Sequence, residues 1–147
     1  MKLDAVRRYR AQVEDVLRMD LLRARQDLQD AETLCHVLDT QMRATVERYS
    51  AKASAGMAPD EFFEWQAVCD SEAAMLAQAQ QIEGGCRDEW HQKQNDLRDA
   101  MQERRTLDRL ADRIRLQQRV LQHRVEQMQM DEAARRTSAM NGSHNLL

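Results

Sequence analysis

The feature that most constrains the fold is an apolar stripe with a period of 3.5 residues in the second half of the chain. Alternating steps of four and three visit positions that are apolar except at Lys93, Arg104 and Gln118. The positions are Cys86, Trp90, Lys93, Leu97, Ala100, Arg104, Leu107, Ala111, Ile114, Gln118, Leu121, Val125 and Met128. A heptad repeat of this kind predicts a supercoiled α-helix, because a strand would require a period of two. So long a helix cannot bury the stripe against itself, and the sequence therefore requires a second helix beside it.

The first part of the chain supplies a second stripe with the same period. Its members are Leu17, Leu21, Ala24, Leu28, Ala31, Cys35, Leu38, Met42, Thr45 and Tyr49. Upstream, apolar residues continue the stripe with a less regular phase at Leu3, Val6, Tyr9, Val13 and Val16. Phe62, Trp65, Cys69, Leu76, Ala79 and Ile82 lead into Cys86. Between the two stripes, Gly56 is suited to end a helix and Pro59 to start one.

A short connection between two long helices makes them antiparallel neighbours. The sequence therefore predicts an all-α fold, an antiparallel two-helix coiled-coil hairpin with a longer, protruding second helix. We expect one coiled-coil domain over residues 1–136, with a first helix at about 3–51, a bend at about 52–58 and a second helix at 59–136. Residues 137–147 are predicted to form a disordered tail. The glycine pair Gly84-Gly85 predicts a weak spot or a small kink.

The predicted pairing leaves part of the second helix without a partner. If the bend is centred near residue 56, position i of the first helix faces position 112 − i of the second. The first helix then runs out opposite about residue 107, although the apolar stripe continues to Met128. An uncovered apolar stripe indicates a binding partner, and self-association through this segment is the alternative.

Composition and charge narrow the possible functions. Charged residues make up 32 % of the chain and aromatic residues 4 %, and the net charge is −3. Seven arginines lie between residues 104 and 124, but no aromatic side chains accompany them to stack on bases, so nucleic acid is not expected. The four histidines are scattered, and no glycine-rich phosphate loop or nucleophile motif is present. We predict no catalytic site, metal site or cofactor, and hence that the protein is not an enzyme. An odd count of three cysteines without a CxxC spacing argues against a disulfide framework.

The sequence resembles the FliJ family, the small coiled-coil component of the bacterial flagellar export apparatus. The similarity lies in the stretch Val6-Arg7-Arg8-Tyr9-Arg10 through Glu14-Asp15, in Glu103-Arg104-Arg105-Thr106-Leu107-Asp108-Arg109-Leu110 and in Met130-Asp131-Glu132-Ala133-Ala134. Arg105 and Asp108 stand where the family pattern has lysine and glutamate. The central stalk subunit of injectisome type III secretion has the same shape, and a generic dimeric coiled-coil adaptor is a further alternative.

The resemblance implies a stalk-like coiled coil that inserts into the pore of a hexameric export ATPase and also contacts the cytoplasmic domain of the export gate. It implies escort of export chaperones as well, and a location on the cytoplasmic face of the inner membrane, held there through protein partners. Candidate ATPase-binding residues are Arg104, Arg105, Arg109, Arg113, Ile114, Leu121 and Val125. Candidate gate-binding residues are Leu38, Met42, Tyr49, Phe62 and Phe63.

Overall fold

The computed structural model describes residues 2–144, which form two long α-helices. Helix α1 runs from Lys2–Ala55 and helix α2 from Pro59–His144, and residues 2–144 contain no strand. The predicted all-α class and the longer second helix are thereby confirmed. Within this part of the chain, neither helix holds a stretch long and apolar enough to cross a membrane.

The bend between the helices is shorter than the sequence predicted. Helix α1 continues to Ala55 rather than ending near residue 51, because residues 51–55 are alanine, lysine and serine, which a helix tolerates. Gly56 then takes a φ of +101°, in the left-handed region that favours glycine. Pro59 occupies the first position of α2, where its missing N–H costs no hydrogen bond. The amide of Phe62 closes the first turn by donating to the Ala58 carbonyl (3.1 Å).

The contacts divide the chain into two compact units, where the sequence predicted one domain. One unit comprises Met1–Tyr9 and Gln102–Leu147, and the other comprises Arg10–Met101. We call the first the terminal unit and the second the bend unit.

In the bend unit, the two helices pack antiparallel along the predicted seam. All ten predicted seam positions of α1, from Leu17 to Tyr49, are buried or half-buried. The pairing is shifted along α2 relative to the prediction. Pairing position i with position 112 − i, which we call the midpoint rule, places residue 67 opposite Thr45 and residue 80 opposite Glu32. The structure instead brings Glu72 to Thr45 and Arg87 to Glu32.

One predicted apolar member of the α2 seam in this unit gives way to a polar neighbour. Leu76 and Ala79 are buried as predicted, but Ile82 is half exposed and Glu83 takes its place. Steps of four and three through Ala79, Glu83 and Cys86 keep the heptad phase, so the side chain at position 83 faces α1 whatever its polarity. The glycine pair that follows lies within a continuous helix. A Cβ at Gly84 or Gly85 would meet no atom within 4 Å, so close approach of another helix does not explain them.

The terminal unit pairs the start of α1 with part of α2. Leu3, Asp4 and Arg7 are half-buried here, while Val6 and Tyr9 are exposed. Val16 in the bend unit is also exposed, so the predicted apolar stripe is wrong at these three residues. The 3.5-residue phase passes through position 7, and the long arginine stem can pack while its head reaches a carboxylate. On α2, Leu107 is half-buried and Ala111 is buried.

The predicted disordered tail is helical as far as the structure describes it. Helix α2 continues through residues 137–144, because nothing in this stretch blocks the backbone hydrogen bonds and the Thr137 hydroxyl also donates to the Ala133 carbonyl (2.9 Å). Residues 145–147 lie outside the described part of the chain.

Candidate interaction surfaces

The seam of α2 loses its cover beyond Ile114. Ile114 is half-buried, whereas every described side chain from Arg115 to Gly142 is exposed. Leu121 and Val125, which belong to the predicted seam, are 59 % and 52 % exposed. We call residues 115–142 the exposed segment. Its apolar stripe agrees with the sequence prediction that the seam of the second helix continues beyond the residues that pair with the first helix.

A shallow recess lies near the start of the exposed segment. It has a volume of about 380 Å³ and a mostly apolar lining, formed by Leu116, Gln117, Val120, Leu121 and Arg124. The predicted ATPase-binding set does not include Leu116 or Val120, because they lie outside the strict heptad. Their one-turn spacing along the helix is the sequence signal that could have revealed them.

The predicted ATPase-binding arginines do not all share one environment. Arg105, Arg109 and Arg113 are exposed and follow each other at intervals of four residues, so they form one row on the helix surface. Arg104 is half-buried and makes polar interactions within the chain. The structure therefore separates an exposed arginine row from one arginine that belongs to the helix packing.

An ion pair fastens the terminal unit just before the exposed segment begins. The Arg7 guanidinium donates from Nε to Asp108 Oδ1 (3.0 Å) and lies 2.9 Å from the same oxygen through Nη2. Arg7 Nη1 also lies 3.9 Å from Asp4. This pair could not be predicted from the sequence, since its members are 101 residues apart and only the pairing register brings them together.

The bend unit ends in an aromatic cluster. The Tyr49 ring lies 6.0 Å from Phe62 and 6.4 Å from Trp65, in tilted arrangements typical of aromatic pairs. Phe63 packs edge-on against Phe62 at 5.8 Å. The ammonium group of Lys52 lies 5.5 Å from the centre of the Trp65 ring, a cation–π distance.

The predicted gate-binding residues fall into two groups. Leu38, Met42 and Tyr49 are half-buried in the seam between the helices, so packing accounts for them. Phe62 and Phe63 are 41 % and 66 % exposed, so they present the aromatic surface of this end. The structure brings Tyr49 and the two phenylalanines together in one cluster.

Polar groups interrupt the seam of the bend unit. The Thr45 hydroxyl lies 3.0 Å from Glu72 Oε1 and 3.1 Å from the Gln41 carbonyl oxygen, and Thr45 is buried. Near the terminal end of this unit, the carboxylate of Glu14 is buried and accepts a 2.6 Å hydrogen bond from Arg18.

Of the three cysteines in the same seam, Cys35 is the buried one. Burial raises the pKa of the Cys35 thiol above its usual value of 9.0, and the hydrogen bond to Glu83 and the negative charge of that carboxylate raise it further. The Cys35 thiol is therefore protonated and weakly nucleophilic near neutral pH.

These surfaces together define a class of protein. Residues 2–144 contain no group of three or more histidine, cysteine or acidic side chains placed to hold a metal ion. Residues 115–142 leave an apolar helix face uncovered, and Phe62 and Phe63 expose aromatic rings at the end of the bend unit. This arrangement is that of a two-helix coiled coil with an uncovered apolar helix face and an exposed aromatic end.

Comparison with known families identifies the chain more closely. The family model described as flagellar FliJ protein matches residues 1–143, and the chain belongs to that family. Membership implies a part in flagellar protein export, and the family is an export component rather than a family of enzymes. Comparisons with curated proteins and with solved structures gave no match.

Proposed function

We propose that this protein acts as a central-stalk-like coiled coil of the flagellar export apparatus and binds the hexameric export ATPase through the exposed segment. The observation that carries the proposal is the seam that continues past Ile114 without any cover. Leu121 and Val125 keep the heptad phase in which Leu107 is half-buried and Ala111 is buried, yet they face solvent. An apolar stripe maintained in phase without a partner is the feature expected of a helix that enters a ring or groove.

Charge supports the same assignment. Residues 104–124 carry seven arginines and two aspartates, and the exposed row Arg105, Arg109 and Arg113 leads into the exposed segment. The planar guanidinium group is well suited to protein interfaces, because it is weakly hydrated and can bind carboxylates with two hydrogen bonds. The ring surface that accepts this helix would carry acidic groups around an apolar lining.

The aromatic cluster of the bend unit supplies a separate surface for the export gate. Phe62 and Phe63 are exposed, and the ring of Tyr49 packs against both Phe62 and Trp65. Aromatic side chains provide large contact areas at low entropic cost, which favours them at the centre of interfaces. Escort of export chaperones and a location at the cytoplasmic face of the inner membrane follow from the family resemblance and belong to the same proposal.

The first experiment tests the exposed segment with two variants that add the same charge to opposite faces. Leu121→Asp with Val125→Asp places carboxylates in the seam, and His123→Asp with Gln127→Asp places them on the far side of the same helix. Light scattering of each protein, alone and with the export ATPase of the same organism, measures the complex. Burying the exposed halves of two apolar side chains contributes about 1 kcal/mol each, so the seam variant should bind at least about tenfold more weakly.

The outcomes separate the proposal from its alternative. Loss of ATPase binding in the seam variant alone supports the stalk assignment, and equal binding by both variants refutes it. A stable dimer of the wild-type protein that ignores the ATPase and dissociates in the seam variant would assign the chain to the dimeric adaptors instead. In a separate arm, Phe63→Ser should weaken binding to the gate domain, whereas Gln66→Ser, one turn away, should not.

A further inference from the structure

A second apolar surface runs along one side of the bend unit, outside the seam. Its members are Leu34 and Val37 on α1 and Val68, Met75 and Ile82 on α2. Each of these side chains is about half exposed (46–53 %). On α2 the three residues recur every seven positions, so they keep one heptad phase beside the seam. We call this surface the lateral groove.

The pairing register shows that the two helices contribute to the same side. Thr45 contacts Glu72 and Glu32 contacts Arg87, so Leu34 and Ile82 lie at the same level of the two helices. Each directly precedes a seam residue, and in antiparallel helices such preceding positions flank the seam on one side. Further toward the bend, one open groove of about 450 Å³ is lined by residues of both helices. Its lining includes Arg48, two heptads after Leu34, and Val68, two heptads before Ile82.

The other side of the same stretch has a different character. Glu32 and Arg87 form an ion pair there at 3.7 Å, and Asp39 pairs with Arg43 at 3.1 Å. Gln80 is also exposed on that side. Val46 and Ala73 are its apolar members, but no apolar row at seven-residue spacing forms. A two-helix coiled coil needs only its central seam to be apolar, so the asymmetry between the sides calls for a partner on one of them.

Charge defines what that partner carries. In the heptads beyond the apolar stretch, away from the bend, the lateral groove is flanked by Asp20, Asp27, Glu89 and Asp96. Toward the bend, Arg48 and Lys52 lie beside Glu64. The groove is thus apolar along its middle, acidic at one end and of mixed charge at the other.

We propose that the lateral groove binds one amphipathic α-helix of a partner protein, which packs as a third helix against α1 and α2. The stretch from Val68 to Ile82 corresponds to about 21 Å of helix, so a partner of roughly four turns covers it. Its apolar residues recur at i, i+3 or i+4 and i+7, and lysine or arginine residues lie at the end beside Asp27 and Glu89. This inference stands independently of the exposed segment and of the ATPase, because none of its residues belongs to the terminal unit.

The test uses a synthetic probe of this chemistry and a reporter in the chain. The chain contains two tryptophans, and Trp90→Phe leaves Trp65, which lines the bend end of the lateral groove, as the only one. The probe is a 21-residue helical peptide, about 30 Å long, with a leucine stripe and lysines in its last two turns. One control peptide has the same composition in permuted order, and another carries glutamates in place of the lysines. Saturable change of the Trp65 emission measures binding to the full-length protein.

The expected result is micromolar binding of the striped lysine peptide, with at least fivefold weaker binding of the glutamate peptide. Met75→Asp with Ile82→Asp should weaken binding at least tenfold, because both residues belong to the lateral groove. Ala73→Asp with Gln80→Asp adds the same charge on the opposite side and should change binding less than twofold. Circular dichroism checks that each variant keeps its helicity.

Three outcomes would overturn the inference. The permuted peptide could bind the unaltered protein as tightly as the striped peptide, and this comparison does not depend on the folding of any variant. The two pairs of substitutions could weaken binding equally. Light scattering of the protein alone could show a dimer that only Met75→Asp with Ile82→Asp dissociates, which would assign the lateral groove to a second copy of this chain.

Discussion

The polar contact between Thr45 and Glu72 offers the sharpest test of how the bend unit is held together. Thr45 is buried in the seam, and its single hydroxyl hydrogen is shared between Glu72 Oε1 and the Gln41 carbonyl oxygen. Thr45→Val keeps the shape of the side chain and removes the hydrogen. The Glu72 carboxylate then remains half-buried without this donor.

The magnitude follows from the chemistry of the acceptor. A hydrogen bond to a charged group contributes about 1.5–3 kcal/mol, and partial access of water to Glu72 places the cost of Thr45→Val at about 1–2 kcal/mol. Glu72→Leu alone should be nearly neutral, because the Thr45 hydroxyl still donates to the Gln41 carbonyl. The double variant creates an apolar layer and should recover at least wild-type stability. The coupling energy of the cycle is therefore about 1–2 kcal/mol.

Urea unfolding followed by helical circular dichroism measures each free energy, with an unchanged dependence on denaturant as the check that the transition is the same. Thr33→Val is the matched control, because the Thr33 hydroxyl donates to the Gln29 carbonyl (2.9 Å) at an exposed site without a carboxylate. If Thr45→Val costs no more than this control, the Glu72 contact does not stabilise the seam and the reasoning is refuted.

Three further predictions concern the cysteine, the bend and the terminal unit. Because the pKa of Cys35 is raised, the folded state holds its proton above pH 9.0 where the unfolded chain releases it, so stability should fall as the pH rises above that value. Comparing unfolding at pH 8 and pH 10 in wild type and Cys35→Ala should show a smaller decrease in the variant, and identical slopes would contradict the assignment. Gly56→Ala places a Cβ at a φ of +101° and should cost about 1–2 kcal/mol in thermal unfolding, although no atom lies close enough to clash. A fully retained melting temperature would mean that the bend adopts another conformation. Arg7→Ala should lower stability by no more than about 1 kcal/mol, since the Asp108 pair is partly exposed, and its effect should shrink at high salt. A larger, salt-independent loss would indicate that packing of the arginine stem dominates.

Periodicity was sufficient to predict most of the helix pairing. The stripe from Leu17 to Tyr49 and the stripe through Ala111 both face the partner helix, because a 3.5-residue repeat specifies one face regardless of register. The predicted seam is wrong where the apolar residue does not lie at the position that the 3.5-residue phase requires. At Val6 and at Ile82 the sequence favoured the apolar residue, but the phase places Arg7 and Glu83 in the sheltered positions.

Register could not be obtained from the sequence to the same degree. Whether Arg7 or Glu83 finds a partner depends on which residue of the other helix lies across from it, and the midpoint rule misses that offset by more than one turn at Thr45 and Glu32. Of the predicted ATPase-facing seam residues, Leu121 and Val125 are exposed, whereas Ile114 is half-buried. The lateral groove could not be predicted from the sequence, because only the pairing of the helices places its half-exposed residues from α1 and α2 on one side.

The exposed segment has a thermodynamic property that follows from its continuity with the rest of α2. An isolated helix of about 28 residues must overcome the cost of nucleation, but this one propagates from turns that packing already holds in place. Its local support comes from pairs such as Arg136 with Glu132 (3.1 Å), each of which contributes a few tenths of a kcal/mol. The helix therefore frays progressively from its carboxyl end rather than melting as a unit. Amide hydrogen exchange should slow steadily from His144 back toward Ile114. When a partner binds, this gradient should disappear over the residues that the partner covers, so the length of that stretch gives the length of the contact.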